Sequence, residues 1–133
     1  MERSTGPGDV HIDVRAIATE LAPIRRAILA SAKSNGIGAL DRADIALAVS
    51  EACANVVAHA YPHAETPGPL VVAAHCEDHE YVVVVSDEGT GMVPRPDSPG
   101  FGIGLALIAQ LTERMVVEDE RHGGARVTMA FAA

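Results

Sequence analysis

The sequence predicts an α+β protein: a two-layer sandwich whose mixed, mostly antiparallel sheet is covered on one face by about three helices. Three observations lead there. Apolar residues repeat at helical spacing over residues 41–61, where Ile45, Val49, Ala52, Val56 and Ala60 form one stripe. The unbroken run Val82-Val83-Val84-Val85 reads as a central strand, and the apolar run over residues 70–76 reads as its hairpin partner. The order β-α-α-β-β-α-β-β leaves the helices one sheet face to cover.

The elements follow in order. Residues 1–8 contain Gly6-Pro7-Gly8 and form a loose tail, with one domain over residues 9–133. Residues 10–14 alternate apolar and polar, as a short strand does. Thr19 caps a helix reaching about Asn35, with Ile17, Leu21, Ile24 and Ile28 on its apolar face. Pro23 fits only in its first turn, and Gly36 and Gly38 end it. Asp41 is the expected N-cap of the second helix, with Asp44 completing a capping box, and Pro62 stops that helix. Strands over 70–76 and 81–86 are joined by Glu77-Asp78-His79-Glu80, which lacks the glycine a tight turn favours. A third helix runs from Leu105 to about Glu113 after a glycine-rich loop. Strands over 115–119 and 125–131 close the sheet around Arg121-His122-Gly123-Gly124.

Composition narrows the function. The 133 residues are 48% apolar and 21% charged, enough for one packed core. Aromatics are only 3%, so that core is built from Ala, Val, Leu and Ile. The net charge of -8 without a basic patch argues against direct nucleic-acid binding. There is no bilayer-length apolar run and no basic-then-apolar leader, so no membrane partner and a cytoplasmic location are expected. Cys53 and Cys76 are expected to be reduced core thiols. The six histidines show no zinc spacing.

Three stretches carry candidate chemistry. Glu51, Asn55 and His59 lie four residues apart, each about 40° around a helix from the last, and make a polar line beside the apolar stripe. This is either a solvated edge or the wall of a cleft. Asp87 ends a buried strand and precedes Gly89 and Gly91. Its carboxylate can accept a hydrogen bond from an exocyclic amine such as that of adenine, with glycines admitting a flat ring, or it can serve a plain turn. Gly100-Phe101-Gly102-Ile103-Gly104 leads into a helix, whose N-terminal N–H groups favour an anion.

Taken together, D-I-A-L-A-V-S-E-A-C-A-N-V-V-A-H-A-Y, D-E-G-T-G-M and G-F-G-I-G-L-A-L-I resemble the signatures of the GHKL (histidine kinase-like, Bergerat-fold) ATPases. Within that group the chain is most similar to the anti-sigma-factor serine kinases, over nearly its whole length. The resemblance implies ATP or ADP with Mg²⁺ as cofactor. It makes Glu51 the general base and Asn55 the Mg²⁺ ligand. It assigns adenine to Asp87, with Gly89, Gly91 and Met92 around the ring and Thr128 nearby. It assigns the phosphates to N–H groups of Gly102, Ile103, Gly104 and Leu105. Residues 93–101 would be a short lid with three prolines, whose Arg95 either reaches a phosphate or is solvated. His59 matches a motif position, or simply packs the helix.

The implied function is an ATP-dependent anti-sigma factor and protein-serine kinase. It would phosphorylate a STAS-type antagonist, sequester a sigma factor and act as a homodimer. A nucleotide-gated binding module without transfer activity is the alternative. A detached histidine-kinase ATPase domain would need a histidine-bearing dimerisation helix.

Overall fold

The computed structural model describes residues 8–90, 101–120 and 123–133. The elements are β1 (Val10–Arg15), α1 (Leu21–Ser34), α2 (Ala39–Asn55), β2 (Pro69–Glu77), β3 (Glu80–Asp87), α3 (Phe101–Leu111), β4 (Arg114–Asp119) and β5 (Ala125–Ala132). A 3₁₀ turn, Ala18–Glu20, precedes α1, and a π turn, Val56–Ala60, prolongs α2. The order matches the expected one.

The five strands lie in the order β1-β2-β3-β5-β4. Every neighbouring pair is antiparallel, so the sheet is not mixed. β3 is central, as its valine run implied, but only one face of it is covered by helices. Val83 and Val85 are fully buried there, whereas Val84 on the other face is only half-buried. The core sits between that face and the helices. Ile24 and Ile28 of α1, Ile45 and Val49 of α2 and Ile108 of α3 meet Leu70, Val72, Val83 and Met129 of the sheet. Burying a side chain of this size contributes about 1.5–3 kcal/mol. The expected stripe Ile45, Val49, Ala52, Val56 and Ala60 is buried throughout.

Five local expectations need correction. α1 begins at Leu21 with Glu20 as its N-cap and no side-chain cap, so Thr19 sits in the 3₁₀ turn and the exposed Ile17 lies outside the helix. α2 begins at Ala39, not after Asp41: Gly38 is its N-cap and no side chain caps it. Asp41 instead sits in the first turn, where the helix dipole favours a carboxylate. The β2–β3 hairpin does make a tight two-residue turn without glycine. Asp78 and His79 take φ of 47° and 64°, the left-handed conformation that Asp and His tolerate better than most residues. Cys53 is buried in the core, but Cys76 is exposed near the end of β2. α3 starts at Phe101, four residues early, and takes Gly102 and Gly104 into its first turn.

One buried polar link crosses the layers. Tyr81, wholly buried on β3, donates its hydroxyl to Ser31 Oγ on α1 at 2.7 Å. Ser31 in turn donates to the Gly8 carbonyl ahead of β1. Among the described residues no helix is long and apolar enough to cross a membrane.

Candidate nucleotide site

The site is assembled on α2. The α-helix ends at Asn55 and the backbone widens into the π turn over the next five residues. Turns of this kind place carbonyls out of the regular ladder and recur at functional sites. Here the carbonyls at the end of the helix find partners in the turn after β3. The Thr90 N–H donates to the Ala60 carbonyl at 3.0 Å, and Thr90 Oγ1 donates to the His59 carbonyl at 3.3 Å. The end of α2 is thereby tied to the turn after β3.

Asp87 closes β3 and is 7% exposed. Its Oδ1 accepts from the Gly89 N–H at 2.8 Å. Burial raises its carboxyl above the ordinary value of 3.8, while hydrogen bonds from the Gly89 and Ala125 backbone pull it down and the charge of Asp119 pushes it up. The turn rests on the next hairpin, because the Gly124 N–H donates to the Gly89 carbonyl at 2.9 Å.

Glu51 is half-buried and Asn55 is 5% exposed, and both face the first turn of α3. A Cβ placed on Gly104 would lie 2.5 Å from Glu51 Oε1, 2.9 Å from Asn55 Nδ2 and 3.1 Å from Asn55 Oδ1. No residue other than glycine fits between them without displacement. Among the described residues Asn55 Nδ2 has no hydrogen-bond partner. An unpaired buried amide costs about 1–3 kcal/mol, so its retention points to a ligand. Rotating the amide by 180° would present its oxygen at the same place. That suits Mg²⁺, a hard ion that takes few protein oxygens and completes its shell with phosphate and water. Among the described residues no group of three His, Cys, Asp or Glu could hold a metal by itself.

The structure therefore brings Glu51, Asn55 and Gly104 together, and links them through the π turn to Asp87 and Gly89. Gly102 and Ile103 lie in the same first turn of α3, whose N–H groups have no partner inside the helix. Two expected residues fall elsewhere. Leu105 is the fifth residue of α3, where the N–H enters the helical ladder and is no longer free for a phosphate. Thr128 pairs in register with Val84 and Val116. Side chains alternate along a strand, so Thr128 lies on the sheet face opposite Asp87, whose register partner is Ala125. Gly91, Met92 and Arg95, with the lid over 93–100, lie outside the described residues. Tyr61 was missed: nothing in its spacing announced that its hydroxyl touches the Asp87 turn.

The family model for the histidine kinase-like ATPase domain matches residues 14–131. An anti-sigma F factor of Clostridium acetobutylicum is 30% identical over 97 residues, covering 65% of this chain and 66% of that protein. The serine-protein kinase RsbW of Halalkalibacterium halodurans is 27% identical over 129 residues, covering 86% and 78%. Among solved structures, the RsbU and RsbW domains of a Mycobacterium tuberculosis protein superpose with a TM-score of 0.75 at 26% identity. That match spans 98% of this chain and 33% of the other. A histidine kinase domain of Erythrobacter litoralis shares the fold, with a TM-score of 0.59 at 22% identity. With the match spanning nearly the whole chain and the three motif stretches gathered around α2, the chain belongs to the histidine kinase-like ATPase domain family.

Proposed function

We propose that the chain is an ATP-dependent protein-serine kinase and anti-sigma factor. ATP lies between α2, the end of β3 and the first turn of α3. The observation that carries this is the buried, unpartnered amide of Asn55 facing Gly104 beside the Glu51 carboxylate. Asp87 accepts the adenine amine, a donor that guanine lacks at that position. The free first-turn N–H groups of α3 at Gly102 and Ile103 hold phosphate oxygens. Asn55 holds Mg²⁺, which supplies charge neutralisation on the phosphates when bound.

Glu51 takes the proton of a serine hydroxyl on the partner protein. The serine oxygen bonds to the terminal phosphorus as the bond to the ADP oxygen breaks, and ADP leaves. The names of the relatives support a sigma factor as one partner and a protein serine as phosphoryl acceptor. An antagonist of STAS type and a homodimer complete the proposal, and such partners place it in the cytoplasm. The net charge of -8 supports protein partners over nucleic acid.

One observation favours the binding-module reading instead. The first turn of α3 packs directly on Glu51, which covers the proposed base. Labelled ATP incubated with the purified chain and a candidate antagonist separates the two. Phosphoserine on the antagonist is expected. ADP binding without any transfer would leave a nucleotide-gated binding module.

A further inference from the structure

Tyr61 belongs to no role assigned above, yet it sits where three parts of the site meet. It follows the π turn directly. Its hydroxyl donates to the Pro69 carbonyl at 2.6 Å, at the start of β2. The same oxygen accepts from the Glu88 N–H at 2.9 Å. Glu88 is the residue between Asp87 and Gly89. One hydroxyl thus joins the end of α2, the start of β2 and the turn that carries the buried carboxylate.

The surroundings preserve this contact. Gly68 lies against the ring, where a Cβ would come within 2.7 Å of Tyr61 Cε1 and 3.0 Å of its hydroxyl. The Gly68 carbonyl accepts from the Ala16 N–H at 3.0 Å, which fixes the loop to the end of β1. The ring therefore cannot shift toward the loop, and the hydroxyl is held between its two partners. Burial raises the phenol above its ordinary value, the Glu88 N–H bond lowers it, and the charges of Asp87 and Glu88 raise it again. The hydroxyl, protonated at neutral pH like any phenol, is a donor there.

We infer that Tyr61 is a positioning residue for adenine recognition: its hydroxyl sets the Glu88 peptide, and through it the carboxylate of Asp87 that accepts the purine amine. This rests on the proposed nucleotide reading. Without the hydroxyl, the Glu88 N–H loses its partner and the turn relaxes. The phosphate end of the site, built from α3 and the middle of α2, is untouched. The consequence is a loss confined to the base. Discrimination between adenine and guanine should weaken, while affinity for a ligand without a base should not.

The test is calorimetric titration of wild type, Tyr61→Phe and Asp87→Asn with Mg-ADP, Mg-GDP and Mg-tripolyphosphate, with melting curves of each ligand-free protein. Phe keeps the ring and its packing. Tyr61→Phe is expected to weaken ADP about tenfold, the effect of one lost hydrogen bond, and to leave GDP and tripolyphosphate unchanged. Gly68→Ala is expected to do the same by displacing the ring with its hydroxyl intact. Should Tyr61→Phe match wild type while Asp87→Asn loses its ADP preference, the positioning role is wrong and the nucleotide reading stands. Equal weakening of all three ligands with a lowered melting point would make Tyr61 merely structural and overturn the inference. If wild type itself does not prefer ADP to GDP, the nucleotide reading fails and the role of Tyr61 falls with it.

Discussion

Gly104 on α3 leaves room for Glu51 on α2: a Cβ at residue 104 would sit 2.5 Å from the Glu51 carboxylate. A glycine inside a helix costs about 1 kcal/mol relative to alanine. The close approach of the two helices is what offsets that cost. Gly104→Ala should gain helix propensity and lose about 1–3 kcal/mol to overpacking against Asn55, leaving the fold intact. Glu51 can swing aside, whereas the buried Asn55 amide cannot. ADP affinity in Mg²⁺ should fall at least about tenfold, because a displacement worth about 1.4 kcal/mol is enough. Titration calorimetry beside a melting curve checks both halves. Unchanged affinity would mean that the contact is incidental.

Asp87 predicts a pH dependence. Its native carboxyl titrates above the ordinary value, chiefly through burial. Between the ordinary and the raised value the native chain binds more protons than the unfolded chain, so stability falls as pH rises through that window. Asp87→Asn should remove this part of the slope, as chemical denaturation across acidic pH would show. A hydrogen bond from an adenine amine favours the ionised form. ADP affinity should therefore rise with pH through the same window, and proton release should accompany binding. A flat ADP affinity across it would count against Asp87 as the adenine acceptor.

The two thiols should differ in reactivity. Burial pushes Cys53 up to about 12, and the residue lies in the core. Cys76 is exposed, though burial of its sulfur and the charge of Asp9 also raise it. A maleimide reagent should label one thiol per native chain and two after denaturation, with mass spectrometry placing the first on Cys76. Rapid native labelling of Cys53 would show that α2 opens readily.

Much of this was legible in the sequence, for a physical reason. Burial imposes the 3.6-residue period on α2, so Ile45, Val49, Ala52 and Val56 reveal the helix and its buried side. The valine run reveals the central strand by its unbroken β-branched composition. What escaped was set by contacts distant in sequence. Thr90 takes the carbonyls of His59 and Ala60 at the end of the π turn, and no local pattern encodes that. α3 takes in Gly104, which packs against Glu51 and Asn55, although glycine ordinarily signals a loop. Thr128 was misplaced because a shift of one residue along a strand changes the face. The Asp78-His79 turn hid because Asp and His can take the conformation that glycine usually marks.

The buried Tyr81–Ser31 bond offers a check on the fold. Tyr81→Phe removes the donor to Ser31 Oγ and should cost about 0.5–1.5 kcal/mol. Denaturant unfolding would show a lower midpoint with an unchanged slope. ADP affinity should stay the same, since neither residue touches the proposed site. No change in midpoint would mean that Ser31 gains nothing from the tyrosine.

The central claim is that Glu51 is the base of a protein-serine kinase. Glu51→Gln keeps the size and a polar tip but cannot take a proton. The direct measurement is the single-turnover rate of phosphoryl transfer from ATP to the antagonist serine, with ATP affinity determined on the same purified variant. General-base catalysis is worth about 10²–10⁴-fold, so the rate should fall at least about a hundredfold while ATP affinity stays close to wild type. Loss of both together, or of neither, would contradict the claim.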